Sequence, residues 1–179
     1  QLMSAEKVRC HVIPIADETR ESFSAHELVS SNDFRFVLPG PKVSVTEIEA
    51  CFDYVSHHLP KRFLVISGGL EPDMPIDFYA RLAALAKQRG VRVVLDTNGP
   101  ALAEALKVGV YLFKPSLREL RDLTGQALPD EATQIAAAQQ LIHRGQAEIV
   151  AVSLGAEGAM VISEHESWQA SSIPVDVQT

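Results

Sequence analysis

Residues 62–99 read RFLVISGGLEPDMPIDFYARLAALAKQRGVRVVLDTNG, and this stretch decides the fold. Phe63 to Ile66 is a continuous apolar run, the pattern of a strand buried on both faces. From about Pro75 to Arg89 the apolar residues Ile76, Tyr79, Leu82, Ala83 and Ala86 recur at helical spacing. Gly90 follows as a left-handed helix end, and Val91 to Leu95 is a second buried strand. Strand, helix and parallel strand in this order make one β-α-β unit.

The same grammar extends outward. A helix is expected from Pro100 to Lys107, a strand from Val110 to Phe113 and a helix from Leu117 to Leu123, closed by Gly125. Asp130 caps a helix over 131–144, Ile149 to Val152 is a fourth buried strand, and 159–162 with 167–170 form a hairpin. On the N-terminal side Ser44-Val45-Thr46-Glu47 has the spacing of a capping box, opening a helix that Pro60 stops. The first forty residues read as β-rich. Val12 to Ile15 is a short apolar run, and 21–29 pairs with 33–38 as a hairpin across Ser30-Ser31-Asn32. Successive β-α units predict a mostly parallel sheet flanked by helices, with ligands bound beyond the carboxyl ends of its strands.

Composition narrows the function. Sixteen basic against 23 acidic side chains give a net charge of −7 over 179 residues, the wrong sign for a non-specific binder of nucleic acid or anionic membrane. No apolar run approaches the roughly 20 residues of a membrane-spanning helix. Cys10 and Cys51 lack metal-binding spacing, so a reducing, cytoplasmic setting is expected. His57 and His58 lie about 100° apart on a helix and do not readily share a metal. No G-x-S-x-G elbow, P-loop or G-x-G-x-x-G is present.

Chemistry is therefore sought at the strand ends: Ser67-Gly68-Gly69, Asp96-Thr97-Asn98-Gly99, Lys114-Pro115-Ser116 and Ser153-Leu154-Gly155. Pro115 suits the first position of a helix, whose free amides favour an anion; Lys114 adds a full charge there, and Glu119 sits one turn in. On the residues alone, a capped helix with a surface lysine is the simpler reading. Gly155 and Gly158 let a backbone approach a ligand, or merely form a strand-to-hairpin turn. Asp96 can orient a metal or a hydroxyl, or cap a turn. Arg20 and Arg35 can reach an anion, or stand as solvated residues.

Five segments taken together, 33–40, 64–70, 94–99, 114–120 and 152–159, resemble in order and spacing the ribokinase-like carbohydrate kinase family. The likeness is closest to its minor ATP-dependent 6-phosphofructokinase branch, with tagatose-6-phosphate and fructose-1-phosphate kinases as neighbours. The resemblance implies a kinase that transfers the γ-phosphoryl group of ATP, with Mg²⁺, to a sugar phosphate of the fructose 6-phosphate or tagatose 6-phosphate class. It also implies that Lys114, Ser116 and Glu119 fall on the K-P-N-x-x-E motif, Glu119 organising the metal and the other two the nucleotide. Ser153, Gly155 and Gly158 fall on the nucleotide turn S-L-G-x-x-G, Arg20 meets the sugar phosphate, and Gly68 and Gly69 belong to the substrate turn. Ser116 stands where the motif has Asn, and Gly69 where it has Ser.

By this likeness residues 1–43 are the end of an N-terminal region plus β lid strands, and 44–179 a kinase core stopping before a G-A-G-D segment that supplies the catalytic base. Gln1 and the run Pro174 to Thr179 likewise read as interior sequence. The expected chain is thus a middle fragment without catalytic residues of its own, inactive alone and forming a homodimer through the lid hairpin. The alternative is a non-catalytic truncated module acting by dimerisation or ligand binding.

Overall fold

The computed structural model describes residues 2–30 and 32–173. Ser31 of the expected turn and the closing run 174–179 lie outside them. Described residues up to His57, together with Glu71–Met74, form one compact unit; His58–Leu70 and those from Pro75 onward form the other.

In the first unit, a four-residue helix, α1 (Leu2–Ala5), precedes the antiparallel hairpin of β1 (Ser22–His26) and β2 (Asp33–Val37). The strands are shorter than expected. Phe23 lies opposite Phe36 and Ala25 opposite Phe34, so the two-residue period puts Phe23, Phe34 and Phe36 on one face. The Phe23 and Phe36 rings stack with centroids 4.9 Å apart. Helix α2 (Val45–His57) opens with the expected capping box: Glu47 N donates to Ser44 Oγ at 3.3 Å, and Ser44 N donates to Glu47 Oε2 at 2.7 Å. Ala16 N donates to the other oxygen, Oε1, at 2.6 Å. Bonds to Ser44, then to Ala16, hold the Glu47 carboxyl below its usual pKa. The run Val12 to Ile15 forms no strand; Val12 is 77% exposed, and four residues with Pro14 among them find no partner strand.

The second unit is a six-stranded sheet in the order β3-β4-β5-β6-β7-β8, made of β3 (Phe63–Ser67), β4 (Arg92–Asp96), β5 (Val110–Phe113), β6 (Ala147–Ser153), β7 (Ala159–Ile162) and β8 (Ser167–Ala170). The first four strands run parallel and the last two turn back antiparallel. Helices α3 (Phe78–Gln88), α4 (Gly99–Val108), α5 (Leu117–Thr124) and α6 (Glu131–His143) connect them. One face of the sheet, carrying Ile66, Val93, Leu95, Phe113, Val150 and Val152, is buried. Buried stripes of α3 (Leu82, Ala86), α4 (Leu102, Leu106) and α6 (Ala138, Leu141) complete this core. Each large apolar side chain sequestered there is worth about 1.5–3 kcal/mol.

Two sequence expectations change. β3 is not buried on both faces: Val65 is 63% exposed, because it points to the face of the sheet opposite the buried Ile66. Ile76 precedes α3 and is exposed, and Phe78, 3% exposed, takes its place on the buried stripe. The N-terminal hairpin and the mostly parallel sheet with its helices are the architecture the sequence led us to expect. Among the described residues, no helix is long and apolar enough to cross a membrane.

Candidate functional site at the strand ends

Parallel pairing aligns the carboxyl ends of β3 to β6. Ser67 lies beside Asp96, and Gly68 N donates to Asp96 O at 2.9 Å. Lys114 N donates to Leu95 O at 2.9 Å, which carries the chain past the end of β4. Ser153 N donates to Pro115 O at 2.9 Å, and Ser116 and Ser153 form an isolated parallel bridge. Backbone pairing alone thus brings Asp96, Lys114, Ser116 and Ser153 to one edge of the sheet. The Lys114 ammonium stands 3.2 Å from Asp96 Oδ1, with both side chains nearly half exposed.

Pro115 is not the first helical residue. It is fully buried, and Ser116 behind it is the N-cap of α5, with extended backbone. The reason is local: Ser116 Oγ accepts from Glu119 N at 3.2 Å, while Glu119 Oε2 accepts from Ser116 N at 2.7 Å and from Ser116 Oγ at 2.9 Å. This capping box fixes the first helical residue at Leu117, where the expected range begins, and leaves Pro115 outside the helix. Glu119 also lines a groove of about 480 Å³ with Asn98, Gly99, Arg118 and Asp122. Asp122 was missed in the sequence; its only signal is the i, i+3 spacing from Glu119.

Beyond β6, Leu154 N donates to Gly158 O at 2.8 Å, closing the loop around a 3₁₀ turn over Gly155–Glu157. Gly155 (φ +62°) faces open space. Gly158 (φ +103°) is different: a β-carbon there would collide with the Ala170 carbonyl oxygen of β8. Its glycine therefore has a packing reason independent of any ligand.

Gly68 and Gly69 sit at the same sheet edge, and the Tyr79 hydroxyl donates to Gly68 O at 3.1 Å. Thr97, 6% exposed, buries a hydroxyl with no hydrogen-bond partner among the described residues. Arg20 belongs to the first unit, where its guanidinium lies 3.8 Å from Glu71 Oε1. That carboxylate, 51 residues away in sequence and missed there, would compete with an anionic ligand for Arg20.

Among the described residues, no group of three or more His, Cys, Asp or Glu could by itself hold a metal ion. Glu119 nevertheless commits only Oε2 to the cap; Oε1 takes no hydrogen bond from the described residues. Mg²⁺ is usually held through one or two carboxylates plus water and phosphate oxygens. The donor set fits a cation that arrives with a nucleotide.

An N-terminal hairpin and a mostly parallel sheet flanked by helices make up the ribokinase-like fold. The sequence matches the pfkB family carbohydrate kinase profile over residues 1–178, and the chain belongs to that family. It is 43% identical over 175 residues to an ATP-dependent 6-phosphofructokinase isozyme 2 of Mycobacterium tuberculosis, an alignment covering 97% of this chain and 51% of that protein. A protein of the same name from Escherichia coli is 32% identical over 181 residues, covering 99% of this chain and 58% of its own length. The crystal structure of Escherichia coli phosphofructokinase-2 in complex with fructose-6-phosphate superposes with a TM-score of 0.91 at 31% identity, over 99% of this chain and 59% of that one. The chain thus spans between half and three-fifths of these relatives.

Proposed function

We propose that this chain carries the strand-end half of the Mg-ATP site of a kinase that phosphorylates a sugar phosphate of the fructose 6-phosphate or tagatose 6-phosphate class. One observation carries the reading: the bridge between Ser116 and Ser153 sets the α5 N-terminus and the 153–158 loop side by side at the carboxyl edge of the sheet. In this reading Lys114, Ser116, Ser153, Gly155 and Gly158 serve the nucleotide, Glu119 the metal, and Arg20, Gly68 and Gly69 the sugar phosphate. Bound Mg²⁺ would neutralise charge on the phosphates of ATP. The chain's own contribution is positional: Lys114 supplies a positive charge, and the strand-end backbone holds the loop and the helix start in place.

Residues 1–43 are read as the end of an N-terminal region with lid strands and 44–179 as kinase core, in a cytoplasmic protein. No general base is assigned within these residues, so the 179-residue chain alone is proposed to be inactive. Absence of a positioned base typically costs about 10² to 10⁴ in rate. A second reading, a module that acts by dimerising, is favoured by the exposed Phe23, Phe34 and Phe36 face of the hairpin.

The test is a Mg-ATP titration of the isotope-labelled chain followed by amide NMR. Shifts concentrated at 114–119 and 153–158 are expected. Shifts confined to the opposite, amino-terminal edge of the sheet, or none at millimolar nucleotide, would refute the assignment.

A further inference from the structure

Arg20 carries an anion of the protein's own. Its Nη1 lies 3.8 Å from Glu71 Oε1, and Glu71 opens a short turn of the same compact unit, closed by Met74 N donating to Glu71 O at 3.0 Å. The partners differ in exposure: the arginine side chain is 47% exposed and the glutamate 19%. The carboxylate is tucked in while half of the arginine stays open to water. At 3.8 Å the contact is longer than a hydrogen bond, so it holds by charge and lacks the two-pronged geometry that fixes an arginine. Gly40 supplies the space behind the carboxylate. A β-carbon built on Gly40 would overlap the Glu71 carboxyl group, although the Gly40 backbone lies outside the left-handed region and does not itself demand glycine.

We infer that Glu71 is a resident counter-ion of Arg20, seated against Gly40, which the phosphate group of a sugar phosphate has to displace. Two opposite charges at this separation attract even in water, so an incoming phosphate must first outcompete the carboxylate. Until it does, Glu71 cancels part of the arginine's charge and repels a second anion. The site therefore binds phosphate more weakly than Arg20 alone would allow. Gly40 acts through Glu71: it touches no ligand and keeps the seat open. The inference rests on the kinase reading above, in which Arg20 serves the sugar phosphate, and adds two residues that tune that contact.

The experiment uses fructose 6-phosphate as the probe. The isotope-labelled 179-residue chain is titrated with it, and the Arg20 Nε–H resonance, assigned by its loss in Arg20→Gln, is followed by NMR. The native sequence is compared with Glu71→Gln and Gly40→Ala, and thermal midpoints are measured in parallel. An open ion pair adds little to stability, so Glu71→Gln should move the midpoint by only about 1–3 °C. It should nevertheless tighten fructose 6-phosphate binding by about three- to tenfold. Gly40→Ala, which leaves both charges in place but pushes the carboxylate off its seat, should tighten it by about twofold or more. If Glu71→Gln tightens binding and Gly40→Ala does not, the counter-ion stands and the seat is overturned. If the native Arg20 resonance responds to fructose 6-phosphate but Glu71→Gln leaves the affinity unchanged or weakens it, the counter-ion role is wrong and the reading of Arg20 survives. If the resonance responds in none of the three chains, the reading of Arg20 fails and takes this inference with it.

Discussion

Lys114 and Asp96 form an ion pair across two neighbouring strand ends, Nζ to Oδ1 at 3.2 Å, on side chains that are 49% and 44% exposed. A pair this open to water adds little to stability, about 0–1 kcal/mol. Its consequence is electrostatic: the carboxylate holds the ammonium at the cleft and partly cancels its charge until a stronger anion arrives.

Removing either partner should therefore affect ligand binding more than folding. Lys114→Ala is expected to weaken Mg-ATP binding by about tenfold, the loss of one charged hydrogen bond discounted for exposure. Asp96→Asn is expected to tighten binding of inorganic triphosphate, because it frees the ammonium. Calorimetric titration measures both, and urea midpoints should barely move. An Asp96→Asn chain that binds triphosphate more weakly would show that Asp96 has another task.

Gly158 and Gly155 should respond differently to alanine. Both have positive φ, but only at Gly158 does a β-carbon collide with backbone, at Ala170. Gly155→Ala should cost about 1 kcal/mol, the left-handed penalty alone, and Gly158→Ala distinctly more. Equal costs in urea denaturation would mean that β8 shifts freely to make room.

The hairpin should mediate self-association. Phe23, Phe34 and Phe36, 56%, 49% and 48% exposed, share one face of a two-stranded sheet, too small to be independently stable in water. Sedimentation at high micromolar concentration should give a dimer, and Phe36→Glu a monomer. A strictly monomeric native chain would remove the hairpin from any interface.

Acid should loosen the N-terminal turns of α2 and α6 before the sheet. Bonds to Ser44 lower the Glu47 pKa, and bonds to the Thr133 backbone lower that of Asp130. Their folded values lie below their unfolded ones, so their contribution is fully present above the ordinary carboxylate range, near pH 4. It is lost as pH falls through the lowered folded values. Hydrogen exchange at residues 45–48 and 131–134 should speed up over that range, and Ser44→Ala, which removes the hydroxyl but leaves the Ser44 and Ala16 amides on Glu47, should weaken the dependence at α2. Uniform acceleration across the molecule would instead indicate global acid unfolding.

Most of the architecture was legible because its signals are local. The apolar run 110–113, the hairpin 159–162 with 167–170, the capping box at Ser44 and the cap at Asp130 lie where residue spacing puts them. What could not be read was relational. The exposure of Val65 depends on which face of the sheet is covered, a property of how the layers pack rather than of its own residues. Glu71 beside Arg20 joins residues far apart in sequence. Pro115 is not the first helical residue because the reciprocal cap between Ser116 and Glu119 makes Leu117 the start of α5, which outweighs proline's preference for the first turn.

The most direct measurement is ADP formation from Mg-ATP with fructose 6-phosphate or tagatose 6-phosphate, by two proteins. One is the 179-residue chain; the other is a chimera in which it replaces the matching segment of the Mycobacterium tuberculosis relative, 43% identical to it. The account predicts background activity from the chain alone, turnover by the chimera, and slower, more Mg²⁺-demanding turnover when the chimera carries Glu119→Gln. Robust turnover by the short chain, or a folded chimera that makes no ADP with either sugar phosphate, would contradict it.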